Sequence, residues 1–242
     1  MLYRRGFTLI ELLVVVGIIG LLMAILIPAL AGARQAAMTT KCLANMRSLE
    51  QAHIGYMTEN NGAFINIGLG HSGGATYDED LSWINALSRF YGSELLRRSP
   101  LDDSPHWEED GGVPAPSGAY RQTSYGVNNY LTADGSSESV TRLHRVAQPA
   151  RTVHFLLMAF EGDFATADHP HVEEWYNAAR PERSPLRAAQ QVAIGAHSET
   201  SADLWNATSV YGFLDGSARV MSFNEVYTDF DHNLFDPESP LH

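Results

Sequence analysis

One cysteine in 242 residues, Cys42, excludes any disulfide within the chain and any cysteine-based zinc site. A lone thiol leaves the compartment open, because oxidising compartments permit disulfides without requiring them. With nothing both basic and confined around it on the helix, Cys42 reads as a small buried apolar residue and not as a reactive thiol. Basic residues are also scarce: 16 Lys and Arg stand against 28 Asp and Glu, for a net charge of −12. No basic surface is available to neutralise phosphates, so nucleic acid is excluded as a partner. The glycine-rich run from Gly68 to Gly74 lacks the Lys-Ser/Thr of a phosphate-binding loop. Nucleotide hydrolysis lacks its usual signature, and the chain does not read as an enzyme.

Charge is almost missing from one stretch. Between Phe7 and Ala33 the only ionisable side chain is Glu11, whereas acids are scattered from Asp78 to the C-terminus. A helix over residues 7–30 would span about 36 Å, enough for a hydrocarbon core of about 30 Å. Arg4 and Arg5 precede it, and the positive-inside tendency leaves that short end in the cytoplasm and the rest of the chain outside. Arg34 and Lys41 weaken the contrast from the other side.

Three readings compete for this segment. A secretory signal would use Ala29-Leu30-Ala31 for cleavage, but the apolar run is longer than the roughly 7–15 residues of a signal core and contains an acid. A plain anchor leaves Glu11 as a cost of about 2.5–3.5 kcal/mol were it at the membrane centre. Cleavage after Gly6 makes sense of the acid. Phe7 then carries a positive amine one helical turn from Glu11, and in a low-dielectric setting that amine, from the same or a neighbouring chain, neutralises the carboxylate.

The run Arg4-Arg5-Gly6-Phe7-Thr8-Leu9-Ile10-Glu11-Leu12-Leu13-Val14-Val15 resembles the leader and N-terminal segment of type IV pilins and type II secretion pseudopilins. That resemblance implies cleavage between Gly6 and Phe7 by a prepilin peptidase, N-methylation of Phe7 and a role for Glu11 in assembly. It implies a bacterial inner-membrane protein with a cytoplasmic N-terminus and an extracytoplasmic head. Its partners would be identical or related subunits, an inner-membrane assembly platform and, before assembly, membrane lipid. Pro28 matches a proline near which the family's helix loosens. Its missing N–H and its ring predict a kink or melted turn there, and Gly17 and Gly20 weaken the same stretch.

Residues 1–6 are then a leader, 7–30 the membrane and filament-core helix, 31–60 its amphipathic continuation and 61–242 the head. Leu43, Met46, Leu49 and Tyr56, with Ala52 or His53 between, form an apolar stripe, while Arg34, Lys41, Asn45, Arg47 and Glu50 fall over the remaining surface. Asn60-Asn61-Gly62 stops the helix. The fold class is α+β: one long helix, transmembrane then amphipathic, packed on a small antiparallel sheet. Residues 81–91 predict a helix with Asp80 near its cap, and 99–119 a loop. Thr152 to Phe160 predicts a buried strand, and 210–223 two strands around a two-residue turn, Asp215-Gly216.

The head also resembles prepilin-like proteins whose C-terminal signature is a His, a spacer and Asp-Gly. His197 and Asp215-Gly216 stand in that order, but 17 residues separate His197 from Asp215, against about nine in the signature, and Ser99 stands where a Cys-Pro is common. Major pseudopilins carry calcium in a head loop, which makes Asp102 and Asp103 candidate ligands; a solvated acidic loop is the plainer reading. Asp168-His169-Pro170-His171 resembles half of a metal site but reads as a surface loop, since no third ligand follows from spacing. Asn206-Ala207-Thr208 fits a glycosylation sequon, which in a bacterial pilin is chance.

Overall fold

The helix α1 runs from Leu9 to Glu59 without a break. Its first hydrogen bond is Leu12 N–H to Thr8 O at 3.3 Å, and it ends where Gly62 N–H donates back to Met57 O at 2.7 Å. Asn61 and Gly62 both take left-handed backbone, φ 54° and 75°, which turns the chain away and accounts for the Asn-Asn-Gly stop. The computed structural model describes residues 8–68, 83–91, 94–132, 139–197 and 203–238. The chain divides into two units, residues 1–40 and 41–242, and α1 contributes to both.

In the first unit the side chains from Leu9 to Leu30 are exposed, with Leu9 at 78% and Leu30 at 71%. This is the one described helix long and apolar enough to cross a membrane. Pro28 lies inside α1, so the expected melted turn is not present. A single proline removes one backbone bond, and the bonds of the flanking turns keep the helix continuous.

In the second unit, residues 41–59 of α1 bury Cys42, Met46, Leu49 and Ala52 against Ile65, Trp83, Leu87, Tyr125, Phe155 and Val210. Glu50 and Asn45, expected on the polar face, are instead buried at 0% and 8% exposure. The helical period explains it: Met46, Leu49, Glu50, His53 and Met57 follow i, i+3, i+4, i+7, i+11 spacing and share one face. The second helix, α2 (Trp83–Tyr91), places Trp83 and Leu87 in the same core. Asp80, its expected cap, lies outside the described residues.

The strands β1 (Tyr125–Val127) and β2 (Phe155–Leu157) pair antiparallel with Tyr125 opposite Leu157. The buried strand expected over 152–160 is thus centred correctly, with single bridges from Val153 to Phe213 and from Met158 to Val192 at its two sides. Its ladder stops at three residues because β1 ends at Asn128. That side-chain amide donates to Val153 O at 2.7 Å and Phe235 O at 2.6 Å, while its oxygen accepts from Tyr130 N–H. After the short helix α3 (Ser184–Gln191), the strands β3 (Thr208–Gly212) and β4 (Ala218–Ser222) form the expected hairpin.

The hairpin turn differs from expectation. Thr208 pairs with Ser222 and Gly212 with Ala218. Phe213 N–H donates to Ser217 O at 2.9 Å, which leaves a three-residue loop, Leu214-Asp215-Gly216. Only Gly216, φ 88°, is left-handed there, the bulged form of hairpin turn and not the two-residue form. A last short helix, α4 (Phe223–Val226), opens with a capping box between Ser222 and Glu225. It closes a second core in which Trp175 packs against Phe223, Tyr227 and Phe235.

Candidate functional site

Gly6 and Phe7, the expected cleavage pair, lie outside the described residues. The structure begins at Thr8, and there it adds something the sequence reading did not see. Glu11 Oε2 accepts from Thr8 N–H at 2.9 Å and from Thr8 Oγ1 at 2.7 Å, and Glu11 N–H donates to Thr8 Oγ1 at 3.3 Å. This is a reciprocal capping box, Thr-x-x-Glu, at the start of α1. The carboxylate therefore has a local partner in a single chain. Its spacing was readable in Thr8-Leu9-Ile10-Glu11.

Beyond the cap, the apolar side chains of α1 from Leu9 to Leu30 are left exposed by the described residues. Each large aliphatic side chain removed from water is worth about 1.5–3 kcal/mol, so a bare run of this length requires lipid or another protein around it.

The head candidates fare differently. Asp102 is a buried ion-pair partner: Arg121 Nε donates to its Oδ2 at 2.7 Å with both side chains inaccessible. Ser124 Oγ donates to the same oxygen at 2.5 Å, and Ser104 N–H to Oδ1 at 2.9 Å. The guanidinium also donates to Ala159 O at 2.7 Å and, closely, to Ala165 O. Calcium would have to displace an arginine from this network, which removes Asp102 as a calcium ligand. Asp103 is exposed and does not share that position.

The Asp168-His169-Pro170-His171 segment is not the surface loop expected. Asp168 is fully buried, with Oδ2 accepting from Gly68 N–H and Oδ1 facing His169 Nδ1, each at 2.9 Å. His171 Nδ1 meets Glu173 Oε1 at 3.3 Å, and that bond raises the imidazole pKa. The two histidines thus each address a different carboxylate.

His197 N–H donates to Thr208 O at 3.0 Å, placing the residue at the start of β3. Asp215 is exposed, and its Oδ1 accepts from Ser217 N–H at 2.9 Å, shaping its own turn. The Asn206 amide is engaged by Asp203 and Asn224. Cys42 is fully buried beside Ser99 Oγ at 3.4 Å, and burial pushes its thiol pKa up, as a structural cysteine requires.

A constellation that spacing alone did not reveal lies in the core. Glu50 and His53, one turn apart on α1, meet His154 just before β2, and all three are buried at 0% exposure. His154 Nδ1 lies 2.8 Å from Glu50 Oε2, and Phe155 N–H donates to Oε1 at 3.2 Å. The His53 ring stacks on His154, with centroids 4.1 Å apart and planes 23° apart. Desolvation pushes Glu50 well above the usual carboxylate range, although the Phe155 amide opposes it. Desolvation also pushes His53 well below its ordinary value and His154 down to about 3. At neutral pH both imidazoles are therefore neutral, and the 2.8 Å contact is a hydrogen bond and not an ion pair. The only advance signal was the i, i+3 spacing of Glu50 and His53 on the apolar face.

Residues 1–27 match the family model described as the prokaryotic N-terminal methylation motif. That motif is the signature with which type IV pilins and pseudopilins begin, and this chain joins it to a long apolar helix and an α+β head of pilin-like architecture. Comparison with curated proteins and with solved structures finds no match.

Proposed function

We propose that this chain is a structural subunit of a type IV pilus-like or type II secretion pseudopilus filament. A prepilin peptidase cuts between Gly6 and Phe7, and Phe7 is N-methylated. The subunit waits in the bacterial inner membrane with its N-terminus cytoplasmic, as Arg4 and Arg5 favour, and its head outside. An assembly platform then withdraws it, and the apolar surface from Leu9 to Leu30 exchanges lipid for the helices of identical or related subunits.

The observation that carries this reading is the methylation motif running directly into that bare apolar helix, with Glu11 as its single acid. In the filament Glu11 accepts the N-terminal amine of an incoming chain and fixes axial register. Pro28 eases the helix where subunits pack. Electron microscopy of sheared filaments tests it: Glu11→Ala abolishes filaments while leaving the chain in the membrane fraction.

One observation favours a second reading, a membrane-tethered binding domain that does not polymerise. Thr8 already satisfies Glu11 within one chain, so the carboxylate demands no partner. On that reading Glu11→Ala leaves function intact.

A further inference from the structure

We propose that Glu50, His53 and His154 bind a divalent first-row metal ion of the zinc class inside the head. Each offers a donor atom, and these atoms lie within 4.8 Å of one another. A tetrahedral centre with bonds of about 2.0–2.2 Å sets its donors about 3.3–3.6 Å apart, so on binding the three draw closer and the stacked imidazoles turn to aim at one ion. Two imidazole nitrogens and one carboxylate oxygen suit zinc and its neighbours, and exclude the all-oxygen shell that calcium or magnesium prefers.

The second observation is independent of that proximity. Neither His53 Nδ1 nor Nε2 has a hydrogen-bond partner among the described residues, and neither does His154 Nε2. A buried polar atom left unpaired costs about 1–3 kcal/mol. One nitrogen of each ring can be offered beside the Glu50 carboxylate, and a cation is the ligand that engages nitrogen lone pairs and a carboxylate oxygen together.

The surroundings keep room for the carboxylate. A Cβ at Gly212 would stand 2.5 Å from Glu50 Oε1, so the glycine is what allows β3 to pass so close. Phe64 and Phe155 flank the imidazoles, with centroids 5.6 and 6.4 Å from His53. All three ligands are closed to solvent, so a substrate has no access and the role is structural: the ion ties α1 to the strand β2. Binding is coupled to folding, because a closed site loads as the head forms. The inference does not rest on the filament reading.

The test uses the full chain purified in detergent without chelator. Elemental mass spectrometry should find about one equivalent of zinc or a first-row neighbour per chain. Cells grown with Co²⁺ in place of Zn²⁺ should yield protein with visible d–d absorption. H53Q and E50Q should lower metal content by about tenfold or more, with His197→Ala unchanged. A wild-type chain without stoichiometric metal and without Co²⁺ bands overturns the proposal, as does undiminished metal in H53Q. Should the variants fail to fold, the Co²⁺ spectrum of the wild-type chain decides alone.

Discussion

At the scale of single residues, two acids, Glu11 and Asp102, have opposite fates. Glu11 sits at a helix start with Thr8 as its partner, and the filament reading asks more of it than capping. The two roles separate by mutation: Thr8→Ala removes the cap but leaves the carboxylate. It should cost about 1 kcal/mol of local helix stability, read by hydrogen exchange, and still permit filaments, whereas Glu11→Ala should not. Asp102 lies in an acidic, proline-rich loop, which invites a surface role, yet it pairs with Arg121 in the interior. Asp102→Ala strands a buried guanidinium and should destabilise the head by about 3–5 kcal/mol in a thermal or denaturant melt. Partners 19 residues apart across a loop leave no spacing signature, and for that reason the pair was not legible in advance. Glu50 was legible in principle, since helical periodicity sets it beside Met46 and His53, but a glutamate on an apolar face is ordinarily assigned to solvent.

At the scale of elements, the long helix was the clearest feature of the sequence. Its apolar run and the Asn60-Asn61-Gly62 stop act locally, so local pattern sufficed for them, whereas the stripe expected from Leu43 to Tyr56 is turned slightly, with those two half-buried and Cys42 and Met57 buried. The hairpin was legible in position but not in turn type. Asp215-Gly216 marks a reversal in either form, and the pairing of Gly212 with Ala218 selects the three-residue loop. Gly216→Ala should therefore cost about 1–2 kcal/mol of head stability, because only position 216 needs a left-handed backbone. Asp215→Asn should be milder, since an amide oxygen still accepts from Ser217 N–H. Strand lengths were not legible, because β1 ends where the Asn128 side chain reaches Val153 and Phe235, a tertiary event. A larger penalty is expected at Gly126, where a Cβ would press on Met158 and on Asp168 O. Gly126→Ala should cost about 1–3 kcal/mol in the same melt.

At the scale of the whole molecule, a bare apolar helix and an acidic head follow one another along the chain. The first 27 residues carry the methylation motif, and their chemistry was readable because processing acts on linear sequence. The head's buried cluster was not, since it joins residues 50 and 154 through the fold. The central claim is that this chain is processed as a prepilin, and the most direct measurement is the mass of its mature N-terminal peptide isolated from cells. The account predicts a peptide beginning at Phe7 and carrying one added methyl on its amine. A peptide beginning at Met1, or one beginning at Gly32 after cleavage as a secretory signal, would contradict it.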